Sequence, residues 1–216
     1  MSILDYAVTS NHVHLILMDI QGNEAISQSM QLIAGRTGQE YNQRKERKGA
    51  FWEDRYHATA IEADSHLHQC MVYVDLNMVR AGVVKHPSAW PFCGYNEIQN
   101  PRERRSLIDH ETLMGLFGVG SREELKEAYR DLVSEGLEKE KYRERQSCWS
   151  ESIAFGSERF VREVKERLGV RAMWREIAPA NGSYELREPA TAYGPIFVAE
   201  NAGLRAEKAF FWDKSF

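Results

Sequence analysis

Two histidines separated by one residue, His12 and His14, are the first side chains whose spacing suggests chemistry. Residues 12–18 interleave aliphatic and β-branched residues in the way a strand does. Side chains two apart on a strand project from the same face, so both imidazoles would point the same way. Imidazole binds divalent transition metals and occurs at magnesium and manganese sites completed by oxygen ligands. The pair indicates a metal site, and two half-exposed strand histidines are the alternative.

A second pair, Tyr73 and Asn77, lies four residues apart in a predicted helix, and residues at this spacing share a helix face. Asparagine is intrinsically unfavourable inside a helix, which favours a specific role for Asn77. The alternatives are a core tyrosine whose hydroxyl is hydrogen-bonded and an asparagine that lies on the surface or bonds back to its own helix.

Physical chemistry links the two pairs. A tyrosine hydroxyl ordinarily has a pKa of about 10 and is a poor nucleophile at neutral pH. A divalent cation beside a phosphate neutralises its non-bridging oxygens and stabilises the transition state of attack. Two imidazoles and one amide oxygen would hold such a cation and leave positions open for phosphate and water. The pattern predicts His12, His14 and Asn77 as metal ligands and Tyr73 as a nucleophile.

The elements that must position these residues follow from hydrophobic spacing. Residues 3–8 and 12–18 predict two strands joined by a turn, and therefore a hairpin. A helix is predicted from about 24 to 47 with Asn23 as its N-cap, followed by a strand over 51–62. A second helix is predicted from 64 or 65 to about 81, ending at Gly82.

The second half of the chain has a different character, and the composition shifts near 100–101. Helices are predicted at about 109–117, 121–145 and 157–168. Ser121 and Glu124 form a capping-box signature at the start of the middle one. From about 177 to 216 the sequence has no clear period. We therefore predict two domains, residues 1–100 and a mostly helical extension over 101–216 with an irregular tail.

The composition limits the classes of protein to which this chain could belong. Of 216 residues, 43% are hydrophobic and 28% charged, with a mean hydropathy of −0.53, which is typical of a soluble globular protein. The sequence has no apolar run of the roughly 20 residues that span a bilayer and no signal peptide, which predicts a cytoplasmic protein without a membrane partner. Three scattered cysteines suggest neither a zinc knuckle nor a disulfide framework. A net charge of −4 argues against coating duplex DNA by bulk charge.

The negative net charge of the chain is compatible with a local cluster of positively charged side chains. This cluster lies on the long predicted helix and just after it, where Glu40 and Glu46 dilute it. A solvated helix face is the alternative interpretation. The candidate DNA-binding residues are Arg36, Arg44, Lys45, Arg47, Lys48 and Arg55.

From Tyr6 to about Tyr95 the sequence resembles the single-tyrosine HUH transposases, IS200-like enzymes, and more closely the REP-associated tyrosine transposase group. The matching motifs, in order, are Asn11-His12-Val13-His14-Leu15, Tyr41-Asn42, Gly49 with Phe51 to Tyr56, Tyr73-x-x-x-Asn77-x-x-Arg80-Ala81-Gly82, and Trp90-Pro91-Phe92 with Gly94-Tyr95. Met78 stands where the family often has proline. Thr9-Ser10 replaces a commoner Met-Pro, which we expect to alter only the turn.

The resemblance implies an α+β fold with a ferredoxin-like antiparallel sheet and packed helices, from which the family's first strand and helix are missing. It implies Mg²⁺ or Mn²⁺ as cofactor, with Asn77 at the position of the family's third ligand. Tyr73 would cleave single-stranded DNA near a hairpin, forming a 5′-phosphotyrosine and releasing a 3′-hydroxyl. Attack by another 3′-hydroxyl would rejoin strands. The oligomeric state, monomer or homodimer, stays open.

Two other functions compete with this one. A decayed or truncated transposase would serve as a DNA-binding module without catalysis, which the missing N-terminal elements favour. A different His-x-His metalloenzyme, such as a hydrolase on a β-barrel, is disfavoured by the helical Tyr73 and Asn77 pair and by the small number of predicted strands.

Overall fold

The first element of the fold is an antiparallel hairpin of β1 (Ser2–Val8) and β2 (Val13–Met18). The computed structural model describes residues 1–19, 25–53, 55–102, 104–139, 142 and 144–188. In the hairpin register Ala7 lies opposite His14. The predicted hairpin is confirmed, although His12 lies in the turn, one residue before β2 begins.

Helix α1 (Ala25–Arg44) follows the hairpin and has no buried residue. This confirms the predicted long helix, while its proposed cap, Asn23, lies outside the described residues. The segment after α1 packs on it: the Trp52 indole donates to the Ala34 carbonyl at 3.0 Å, and the rings of Phe51 and Tyr41 lie 4.6 Å apart.

The strand predicted over 51–62 is wrong for most of its length, because only β3 (Ala60–Ile61) forms. Aromatic and β-branched content favours a strand only where a neighbouring strand supplies hydrogen bonds and packing. Phe51 and Trp52 instead pack on a helix, and β3 pairs with a strand from the second half of the chain.

The second predicted helix forms as two pieces, α2 (Ser65–Asp75) and α3 (Asn77–Arg80), which meet at Leu76. Leu76 departs from helical geometry, with φ −78° and ψ 5°. Gly82 follows with a φ of +70°, as its predicted role at the helix end requires. The last six residues of α2 are all buried, so this helix lies inside the core rather than on its surface.

The main core joins both halves of the chain. It packs β1 and α2 against α4 (Gly94–Gln99), α5 (His110–Phe117) and α6 (Arg122–Glu138). A Cβ added at Gly136 of α6 would lie 2.5 Å from Val72, so the glycine lets α6 approach α2 closely. The predicted capping serine is confirmed, since Ser121 accepts a hydrogen bond from the Glu124 amide.

A second, smaller core lies around α7 (Glu158–Leu168). It packs against a sheet with the strand order β3, β4 (Ala154–Gly156), β6 (Ser183–Arg187) and β5 (Glu176–Ala180). β3 runs parallel to β4, and the other pairs are antiparallel. The boundary at residue 100 stays a prediction, although the main core and this sheet contain residues from both sides of it.

The irregular tail predicted from about 177 is wrong for its first residues, because β5 and β6 form a hairpin. Asn181 and Gly182 make its turn with φ values of 50° and 78°, the left-handed geometry that an Asn-Gly pair favours. Residues 189–216 of the predicted tail lie outside the described residues.

The α+β class is confirmed by this arrangement of helices with a two-stranded antiparallel and a four-stranded mixed sheet. The strands differ from the expected single ferredoxin-like antiparallel sheet, since the described ones divide between two sheets. Within the described part of the chain, no helix is both long and apolar enough to cross a membrane.

Candidate functional site

The two predicted histidine ligands lie side by side at the start of β2. Their ring centroids are 4.8 Å apart and the rings are nearly perpendicular, at 85°. His12 is exposed, whereas His14, one residue into the strand, is half-buried. The hairpin therefore brings the two imidazoles together with one of them open to the surface.

Turn residues fix the orientation of the His12 ring. Its Nδ1 lies 2.7 Å from Oδ1 of Asn11 and 3.1 Å from the Thr9 hydroxyl. Because an amide oxygen only accepts, Nδ1 carries the hydrogen and Nε2 keeps a free lone pair. Thr9 also accepts a hydrogen bond from the His12 amide, a contact within the turn.

Asn77 approaches the same pair from α3. Its Nδ2 lies 3.0 Å from Nε2 of His14, and rotation of the amide exchanges its nitrogen and oxygen. The structure thus brings all three predicted ligands into one cluster. The described residues contain no group of three or more His, Cys, Asp or Glu side chains that could hold a metal ion. A metal site on His12 and His14 would therefore need an amide oxygen such as that of Asn77.

The electrostatics of the cluster favour neutral imidazoles. Burial, followed by the charges of His12 and Arg80, lowers the pKa of His14 to about 4. Burial also lowers the pKa of His12. A metal needs the unprotonated ring nitrogen, so this donor set is ready to bind a cation near neutral pH without first losing protons. The chemistry of the donors fits a divalent cation.

Tyr73 lies in the last turn of α2, with only 5% of its surface exposed. The guanidinium carbon of Arg80 lies 3.7 Å from the centroid of the Tyr73 ring. The Trp149 ring lies 6.1 Å from it. Arg80 also donates from Nη1 to the Tyr73 carbonyl at 2.8 Å. The ring of the candidate nucleophile therefore packs on an arginine and lies near a tryptophan.

Arg80 acts on both the tyrosine and one of the histidines. It packs on Tyr73, and its charge contributes to the lowered pKa of His14. Burial lowers the pKa of Arg80 itself, against the opposing effect of Tyr73. Nη2 of Arg80 is buried without a hydrogen-bond partner. Sequence reasoning placed Arg80 in a motif but assigned it no role.

Comparison with known families finds a similarity in the first part of the chain. Residues 1–77 match the family model of the IS200-like transposases. Over these residues the chain is similar to that family. The matched range contains His12, His14 and Tyr73 and ends at Asn77. No curated protein and no solved structure matches the chain.

The cations predicted to bind DNA are all exposed, on α1 and in the segment after it. Arg44 pairs with Glu40, and Arg47 donates to the Ala50 carbonyl and lies 5.7 Å from the Tyr41 ring centroid. Their role in DNA binding stays a prediction. The six are Arg36, Arg44, Lys45, Arg47, Lys48 and Arg55.

A buried carboxylate lies between the tyrosine and the asparagine of the candidate site. Asp75, midway between Tyr73 and Asn77, accepts hydrogen bonds from the Tyr129 hydroxyl at 2.5 Å and the Tyr95 amide at 3.1 Å. Burial raises the pKa of Asp75 to about 7, and burial with the charge of Asp75 raises that of Asp5 well above its usual value. Sequence reasoning missed this pair, although an aspartate among the apolar residues of α2 was a visible signal.

Proposed function

We propose that this transposase cleaves and rejoins single-stranded DNA through Tyr73, with Mg²⁺ or Mn²⁺ held by His12, His14 and Asn77. The observation that carries the proposal is the 3.0 Å contact between Asn77 and His14, made four residues along the chain from Tyr73. This contact supports a three-ligand site, because it brings the Asn77 amide to one of the two histidines.

Each residue has a defined task in this reaction. Asn11 holds His12 with its Nε2 lone pair free, and burial keeps His14 neutral. The bound cation would neutralise the phosphate oxygens. The Tyr73 oxygen forms a bond to phosphorus, and the bond from phosphorus to the 3′ oxygen breaks. The 3′ oxygen leaves as a hydroxyl, taking up a proton as the tyrosine loses one, and a 5′-phosphotyrosine remains.

Rejoining reverses these steps. A 3′-hydroxyl attacks the phosphotyrosine, the new phosphodiester forms, and Tyr73 leaves with its proton restored. The ordered motifs from Asn11 to Tyr95 support the REP-associated group, and with it a hairpin-forming DNA strand as substrate. A binding module that had lost catalysis would have no need to keep His12, His14 and Asn77 converging, so the cluster favours the active enzyme.

The test is incubation of the whole protein with labelled single-stranded DNA from the flanks of its own gene, with and without Mn²⁺. We expect a protein–DNA adduct that survives denaturation, requires Mn²⁺ and disappears in Tyr73→Phe. Tyr184→Phe, outside the matched range, is the control and keeps the adduct. Mn²⁺-dependent adduct formation that persists in Tyr73→Phe would overturn the proposal.

A further inference from the structure

Nη2 of Arg80 is one of several buried polar atoms without a hydrogen-bond partner among the described residues, and its guanidinium packs on the candidate nucleophile. A buried donor without a partner costs stability, so buried polar groups are nearly always satisfied. Here the unsatisfied group belongs to a guanidinium, which carries a permanent positive charge. Nη1 of the same group is used by the Tyr73 carbonyl, which fixes the guanidinium in place while Nη2 has no acceptor.

The position of Arg80 decides what such a ligand would be. Arg80 packs on Tyr73 and acts electrostatically on His14, a member of the candidate metal cluster. A guanidinium prefers phosphate and carboxylate oxygens because its planar fork matches their geometry. No acidic side chain pairs with Arg80 among the described ion pairs, which leaves an anion brought by the substrate.

We propose that Arg80 is the phosphate-binding residue of this site, pairing through Nη2 with the phosphodiester that Tyr73 attacks. This inference rests on the proposed function. The Tyr73 ring now covers one face of the guanidinium, and little of the ring is open to DNA. When the Tyr73 ring moves towards a bound DNA strand, it uncovers the guanidinium. Arg80 can then contact a phosphate of that strand in the same step. Arg80 then stabilises the charge that develops on the phosphate as the new bond forms.

The charge of Arg80 has a second effect, on metal binding, that does not depend on catalysis. Arg80 is a cation near His14, so it disfavours another cation on the cluster until a phosphate neutralises it. Removing the charge should strengthen Mn²⁺ binding to the DNA-free protein and weaken the binding of DNA. A purely structural role for Arg80 would weaken both.

The experiment uses the full chain with Arg80→Gln and with Arg175→Gln as the matched control. Arg175 is another partly buried arginine that donates to a main-chain carbonyl and has one buried nitrogen, Nε, without a partner. Unlike Arg80, it pairs with an acidic side chain, that of Glu188. Each variant is assayed well below its own melting temperature. The readouts are Mn²⁺ affinity without DNA, affinity for a single-stranded oligonucleotide with Mn²⁺, and the rate of adduct formation. If Arg80→Gln does not fold, Arg80→Met keeps the aliphatic packing on Tyr73 and takes its place.

For the Arg80 variant we expect Mn²⁺ affinity to rise several-fold, oligonucleotide affinity to fall about tenfold, and the adduct rate to fall about 100-fold or more. Arg80→Lys, which keeps the charge, should recover part of the lost affinity and rate. The inference would be overturned if Arg80→Gln had the same oligonucleotide affinity and adduct rate as Arg175→Gln. It would also be overturned if Arg80→Gln bound Mn²⁺ more weakly than the wild type. If no variant forms an adduct but DNA affinity still depends on Arg80, the proposed reaction fails and the phosphate contact stands.

Discussion

The hydroxyl of Tyr129 in α6 donates a 2.5 Å hydrogen bond to Oδ2 of Asp75, which lies between Tyr73 and Asn77. Both residues are buried, and the bond joins the second half of the chain to the helix that carries the candidate nucleophile. Residues outside the family-matched range 1–77 therefore help to hold the site in shape.

Loss of the Tyr129 hydroxyl should reduce the stability of the fold. Tyr129→Phe leaves a buried carboxylate oxygen without its partner, and we expect the free energy of unfolding to fall by about 1–3 kcal/mol. Urea denaturation followed by circular dichroism measures it. Ser134→Ala on the exposed side of the same helix should change the value by less than about 0.5 kcal/mol. Equal effects of the two substitutions would argue against the bond as a support of the site.

Asp5 makes the stability of the fold depend on pH. Burial and the charge of Asp75 raise the pKa of Asp5 well above its usual value, and one of its oxygens, Oδ2, has no hydrogen-bond partner. An unfolded aspartate releases its proton near pH 4, while the folded one retains it to a higher pH. This contribution to stability is therefore fully present below about pH 4 and is lost as the pH rises through the folded pKa.

We accordingly expect the melting temperature to fall between pH 5 and pH 8, and to fall less in Asp5→Asn. Asp109→Asn is the control with the opposite sign. Hydrogen bonds from Ser2 and Thr112 lower the pKa of Asp109, so its contribution is lost only in acid. A slope between pH 5 and pH 8 that is unchanged by Asp5→Asn would show that other groups cause it.

Substitution by alanine should change the stability of the fold in opposite directions at two helical glycines. A Cβ at Gly136 would lie 2.5 Å from Val72 and 3.3 Å from Leu76, whereas a Cβ at Gly115 would meet nothing within 4 Å. We expect Gly136→Ala to destabilise the protein by about 1–3 kcal/mol and Gly115→Ala to stabilise it by up to about 1 kcal/mol. Chemical denaturation measures both. A stabilising Gly136→Ala would mean that α6 does not pack on α2 this closely.

Asn11 should set the metal affinity without being a ligand. Removing the partner of a metal-binding histidine typically weakens metal binding 10- to 100-fold, and Asn11 fixes the His12 ring through a 2.7 Å contact. We predict a loss of about tenfold or more in Mn²⁺ affinity for Asn11→Ala, measured by titration calorimetry. Ser10→Ala changes the same turn without touching that contact and should bind Mn²⁺ like the wild type.

The spacing of apolar, turn and capping residues along the chain was enough to predict the hairpin, the long helix α1 and the capping serine of α6. Each of these features depends on neighbours in sequence. The convergence of Asn77 on His14 was also predictable, since a motif specified both positions. The unpaired Arg80 and the contact of Asp75 with Tyr129 were not, because they depend on how distant elements pack. The Asn181-Gly182 hairpin is different, because its turn signal was present in the sequence and was overlooked.

Mapping the covalent bond tests the central claim most directly. The protein is incubated with Mn²⁺ and a single-stranded DNA hairpin from its own gene flanks, then digested, and the DNA-linked peptide is sequenced by mass spectrometry. We predict a nucleotide joined through its 5′-phosphate to Tyr73, absent from His14→Ala and from reactions with a chelator. Attachment to another residue, or cleavage that leaves no protein-linked DNA while releasing a 3′-hydroxyl, would contradict the account.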